Sequence, residues 1–213
     1  MLTGSGTPIT SRGMPVPEHR AREHSQRRRL IISAARELAE SKGWGAVTTR
    51  RLAEHIECSQ PVLYKHFKNK DAVVREVALE GFAELAATLR DARTATGPSD
   101  GRLGALARAY TDFAEANAAV YEAMFTLSTD LVAGRHGSPQ PLDEVFDEFR
   151  TALAPPAGGH RPDTAPEVVW SALHGMVVLR GCGLLGPGQE AERLELLVAR
   201  FLPPVGPAQG CAR

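Results

Sequence analysis

The stretch TTRRLAEHIECSQPVLYKHFKNKDAV, Thr48–Val73, decides the fold. Thr48 is a suitable N-cap for a short helix ending near Ile56. Glu57-Cys58-Ser59 makes a tight connection, and Ser59 can cap a second short helix, Gln60 to His66. Pro61 falls in that helix's first turn, where a missing N–H costs little. Lys68-Asn69-Lys70-Asp71 ends it, and a longer helix follows from about Asp71 to Ala92. Upstream, Ile31, Ala35 and Leu38 at i, i+4 and i+7 predict a helix from His24 to Lys42, stopped by Gly43. Two short helices on a three-residue turn, braced by a long helix on each side, form a helix-turn-helix. Leu52, Ala53 and Leu63 pack the motif, while the second helix presents Gln60, Pro61, Val62, Tyr64 and Lys65. A helix of this width fits the major groove of double-stranded DNA, with its N-terminal side chains against base edges.

Further out, Gly and Pro interrupt any period in residues 1–23, which read as a disordered arm. Thr94–Ser99 is the clearest internal boundary. Beyond it helical spacing returns in Arg102–Asn117, Val120–Leu127, Leu142–Leu153, Thr164–Leu184 and Gln189–Leu202, and no segment alternates as a strand does. The expected fold is all-α. Its expected parts are an arm (1–23), a DNA-binding domain (24–71), a helical regulatory and dimerisation domain (72–202) and a flexible tail (203–213).

The chain has 213 residues and no net charge, but residues 1–75 carry a net +7 and the remainder −7. A basic front suits a polyanion, although local drift in composition would also produce it. The longest aliphatic run is Met176–Leu179, far short of the ~20 residues of a membrane span. No apolar block of signal-peptide length opens the chain, so a cytoplasmic location is expected. Cys58, Cys182 and Cys211 lie too far apart for a CxxC zinc or redox motif. GxSxG, HExxH, P-loop and strand-linked GxGxxG patterns are missing from the sequence. No enzyme, cofactor or metal is expected.

The run Thr48–Val73 resembles the DNA-binding signature of the TetR family of transcriptional regulators, with specific likeness over about residues 26–75. The resemblance implies base contacts from Arg50, Gln60, Pro61 and Val62, and phosphate contacts from Thr49, Tyr64, His66 and Lys70. An arginine fork suits guanine O6 and N7, and a glutamine amide suits adenine. Lys65 stands where the tetracycline-responsive members carry a bulky aromatic, so its contact is a base or a phosphate. Glu57 occupies a turn position usually held by glycine, which requires a left-handed backbone or a differently drawn turn.

In this family the second half forms a ligand-sensing and dimerisation domain. The segments Ala107–Ala114, Val120–Phe125 and Trp170–Gly175 resemble the C-terminal type named for its Trp-His-Gly motif. Val169, Leu173 and Met176, then Leu194, Leu197, Val198 and Phe201, form apolar faces on the last two helices that suit a homodimer's four-helix bundle or the protomer's own core. Tyr110, Phe113, Tyr121, Met124, Phe125, Trp170 and His174 either line a pocket for a small neutral apolar or aromatic ligand or simply pack. The expected function is a ligand-responsive repressor on a palindromic operator, the alternative being a constitutive or architectural DNA-binding protein without an inducer.

Overall fold

A computed structural model describes residues 16–96, 101–128, 140–153 and 163–201, and among these every regular element is helical. Helix α1, Val16–Lys42, begins eight residues before the expected His24. Residues 16–23 are therefore helical where an arm was expected, and in its exposed part, 19–23, His19 and Glu23 pair at i, i+4. Sequence periodicity misses such a turn because it buries nothing. Residues 1–15 and the tail 203–213 lie outside the described residues.

Gly43 leaves α1 at φ +74°, a conformation open to glycine, and a 3₁₀ turn covers Trp44–Ala46. Helix α2, Thr49–His55, starts on Thr48, whose side chain accepts from Arg51 N–H at 3.2 Å. Helix α3 spans Gln60–His66. Ser59 stands at its N-cap but caps through its backbone carbonyl, which accepts from Val62 and Leu63, and its hydroxyl makes no cap bond. Helix α4, Lys70–Ala95, opens on Asn69, whose side-chain oxygen accepts from Ala72 N–H at 2.9 Å. Helix α5 is Gly101–Ala116. Helix α6, Ala118–Glu122, runs directly into a π-helical turn, Ala123–Leu127. Helices α7 (Gln140–Ala152), α8 (Thr164–Gly181) and α9 (Glu190–Phe201) complete the described chain.

Ile31, Ala35, Val47, Leu52, Leu63 and Val73 are fully buried and join α1, α2, α3 and the start of α4. Burying each of the larger aliphatic side chains contributes roughly 1.5–3 kcal/mol. Arg28 locks the module: it donates to the His66 carbonyl at 2.7 Å, pairs with Glu76 at 2.8 Å and lies over the Phe67 ring.

Helix α4 then continues into the second half, burying Val77, Ala78, Phe82, Leu85 and Leu89 against α5, α7 and the π turn. At Gly81 a Cβ would lie 2.5 Å from Val120 Cγ1 and 2.8 Å from Met124 Sδ, so α4 and the α6 segment approach through the missing side chain. The buried Glu148 carboxylate on α7 receives Arg90 Nε at 3.1 Å and Arg93 Nε at 2.6 Å from α4. One carboxylate between two guanidinium groups holds those helices in register.

Candidate nucleic-acid interface and ligand cavity

The DNA-facing candidates sit on α2, α3 and the start of α4. Arg50, Gln60, Pro61, Tyr64 and Lys65 are exposed, and Thr49, Val62, His66 and Lys70 are half-buried. Thr49 and Tyr64 hydroxyls approach to 3.4 Å, which sets the start of α2 beside the middle of α3. Arg50 binds Glu54 through Nε at 2.9 Å, leaving its terminal amino groups to face outward. Lys70 donates to the Trp44 carbonyl, so one of its three ammonium protons is spent inside the protein. Glu57 takes φ +52°, the left-handed conformation its position demands.

His66 lies against the His24 ring with centroids 4.5 Å apart, and its buried Nδ1 has no hydrogen-bond partner among the described residues. Burial first, then the neighbouring His24, Arg28, Arg27 and Lys65, holds its imidazole below the ordinary histidine range.

In the second half a cavity of about 600 Å³ opens between α5, the α6 segment, α8 and α9. Of the seven residues expected to line it, Tyr121, Phe125 and His174 do so. Tyr110, Phe113 and Met124 are buried in the core instead, and Trp170 packs beside them, stacked on Phe149 at 5.9 Å. Aromatic spacing on a helix marks burial and cannot tell a core from a wall. Glu115, Glu122, Arg180, Glu190 and Arg193 also line the cavity. Arg180 is paired with both Glu115 and Glu190, and Arg193 donates to the Gly186 carbonyl.

A chain of polar contacts leads into this cavity. Trp170 Nε1 donates to the Tyr110 hydroxyl at 3.0 Å, the Tyr110 and Tyr121 hydroxyls lie 2.8 Å apart, and Tyr121 reaches His174 Nδ1 at 2.7 Å. Burial pushes both phenols up and His174 down, so all three side chains are neutral near pH 7.

The faces expected to pair across a dimer divide differently. Val169, Leu173 and Leu194 are buried in the protomer's own core. Met176 lines the cavity, and Leu197, Val198 and Phe201 are half-buried against the core. The apolar residues left exposed on these helices are Val168, Val178, Leu179 and Leu196, the last 61% exposed. Period alone found an apolar stripe on each helix, but α8 is apolar on more than one side.

Two residues that carried no sequence signal join the halves. Glu40 Oε1 on α1 accepts from the N–H groups of Ala119 and Val120 at 3.1 and 3.3 Å, satisfying the start of α6. Trp44 Nε1 donates to the Ala119 carbonyl at 2.8 Å. Both partners are backbone atoms about 75–80 residues away, and backbone atoms leave no trace in side-chain patterns.

Residues 31–77 match the family described as bacterial regulatory proteins, tetR family, and residues 103–201 match tetracyclin repressor-like, C-terminal domain. The chain is 33% identical over 95 residues to the uncharacterized HTH-type transcriptional regulator YobS of Bacillus subtilis, which spans 45% of this chain and 49% of that protein. Over 51 residues it is 47% identical to the tetracycline repressor protein class C of Escherichia coli, 24% of this chain and 23% of that one. The matches thus span about half or less of these curated relatives. A protein of unknown function from Rhodococcus sp. RHA1 shares the fold at TM-score 0.68 and 22% identity, over 82% of this chain and 92% of its own.

Proposed function

This chain belongs to the tetR family of bacterial regulatory proteins, and on that premise we propose that it is a cytoplasmic, homodimeric repressor that releases a palindromic operator when a small molecule enters the second-half cavity. The exposed Gln60, Pro61, Tyr64 and Lys65 on α3, with Arg50 on α2, are its reading head. Arg50, Gln60, Pro61, Val62 and Lys65 meet bases, and Thr49, Tyr64, His66 and Lys70 meet phosphate. The C-terminal half is of the Trp-His-Gly type, with Trp170 and His174 at the two ends of one hydrogen-bond chain.

The observation that carries the ligand-responsive reading is the set of three bonds that tie Glu40 and Trp44 to the start of α6. The same short helix carries Tyr121, and its π-helical continuation carries Phe125, both in the cavity wall. A ligand that binds one position of α6 better than another therefore biases α1 and the Trp44 turn. Lys70 of the reading head donates to the Trp44 carbonyl, so the DNA side meets the same turn. A solid second-half core would have favoured the inducer-free alternative, and the cavity of about 600 Å³ gives that alternative no support.

Selection from a random DNA pool with the full chain tests the reading. A two-fold symmetric site with half-sites one helical turn apart, about 34–36 Å, is expected. Arg50→Ala should then cost about 1–3 kcal/mol and relax preference at one base position, while Lys70→Ala weakens all sequences alike. A pool that fails to enrich any sequence would contradict the regulator reading.

A further inference from the structure

We propose that the cavity takes a neutral, largely apolar ligand bearing one hydrogen-bond acceptor, and that His174 Nε2–H is the donor that receives it. This rests on the ligand-responsive reading above and adds the chemistry of the ligand.

The donor follows from the direction of the buried hydrogen-bond chain. An indole N–H only donates, so at 3.0 Å from Trp170 Nε1 the Tyr110 oxygen must accept. Tyr110 is fully buried, and its own proton has one acceptor in reach among the described residues, the Tyr121 oxygen at 2.8 Å. Tyr121 then sends its proton to His174 Nδ1 at 2.7 Å. A nitrogen that accepts there carries no proton, which places the imidazole proton on Nε2. The reverse order fails. With a proton on Nδ1, Tyr121 would turn its own proton toward Tyr110, and the Tyr110 proton would be left facing the Trp170 N–H with no acceptor. A buried donor without a partner is the costly arrangement. Burial of His174 also disfavours its imidazolium form.

His174 lines the cavity, and its Nε2 has no partner among the described residues, so its N–H is available to a bound molecule. The same wall carries the apolar Ala114, Phe125, Val177 and Leu194. The charges at the cavity do not invite an anion. Arg180 is paired with Glu115 and Glu190, Arg193 spends one N–H on a backbone carbonyl, and with Glu122 the three carboxylates outnumber the two guanidinium groups. A carbonyl or ether oxygen on an apolar frame satisfies Nε2–H without bringing a charge into this wall.

Four probes of similar frame separate the cases by calorimetric titration of the full chain: benzophenone, diphenylmethane, 4-benzoylbenzoate and benzhydryltrimethylammonium. Benzophenone is expected to bind about three- to tenfold tighter than diphenylmethane, the worth of one neutral hydrogen bond. His174→Leu should erase that ratio, and His174→Gln, which keeps an N–H donor, should restore part of it. Independently of any ligand, ¹⁵N NMR of labelled histidine should show His174 protonated on Nε2 alone in the wild type, and a tautomer mixture in Tyr121→Phe. A proton on Nδ1, tightest binding of the carboxylate or of the ammonium probe, or binding of none of the four would overturn the proposal. Any of these results leaves sequence-specific DNA binding intact, whereas loss of DNA selection leaves the tautomer unchanged, so the two readings fail separately.

Discussion

Glu57 carries the chain from α2 to α3 at φ +52°, a conformation that costs a non-glycine residue about 1–2 kcal/mol. Glu57→Gly should raise stability by about 0.5–1 kcal/mol in urea unfolding, because the added freedom of glycine in the unfolded chain offsets part of the relief. A loss of stability would show that the glutamate side chain compensates the strain. His66 gives a residue-scale test in pH. Its pKa is lowered, so the fold favours the neutral ring, and stability from this source is complete above about 6.5 and lost as pH falls toward the folded value. DNA phosphate would offset the His24, Arg28, Arg27 and Lys65 charges around it and promote proton uptake on binding. Operator affinity measured from pH 7.5 down to 6 should therefore rise more steeply in the wild type than in His66→Gln. Equal slopes would remove His66 from the phosphate-contacting set. The left-handed turn was legible only through the family resemblance, which sets Glu57 where glycine is usual and left a differently drawn turn open. The burial of His66 Nδ1 was not, since it depends on α1 lying across the end of α3.

Among the elements, the helix-turn-helix was the most legible, since caps, the proline and the apolar spacing agree on the same boundaries. The expected Gln60–His66 helix is the observed α3. Longer helices drifted by one to three residues at their ends, and α1 by eight, because exposed helical turns leave no apolar period. The α6 segment was expected as one helix over Val120–Leu127, and the structure divides it into α6 and a π turn. Such turns are frequent at functional sites, and this one sets Phe125 in the cavity wall. Gly81 is the element-scale test. Gly81→Ala inserts a methyl group where Val120 and Met124 already stand, and overpacking of this kind costs about 1–3 kcal/mol. Thermal unfolding should show that loss. A variant as stable as the wild type would mean that α6 and the π turn move aside without cost.

For the whole molecule, sequence pattern supplied the class and the order of the helices, while the assembly of the second half had to come from packing. Sequence leaves seven residues as pocket wall or core, and Tyr121, Phe125 and His174 are the ones that line the cavity. Which side of a helix meets a cavity depends on neighbours dozens of residues away. For the same reason Val169 and Leu173 lie in the core, and the proposed homodimer would have to use the exposed Val168, Leu179 and Leu196 instead. Leu196→Glu should give a monomer in analytical ultracentrifugation with its helix content kept, because a carboxylate buried in an apolar interface is strongly unfavourable. A dimer that persists would place the interface elsewhere.

The most direct test of a two-headed operator-binding regulator is fluorescence anisotropy with the selected palindrome, compared with the same duplex carrying one scrambled half-site. Expected are one dimer per intact site, affinity that falls as salt rises, and at least about tenfold weaker binding to the half-scrambled duplex, since several mismatches at about 1–3 kcal/mol each accumulate there. Equal affinity for the two duplexes would contradict it.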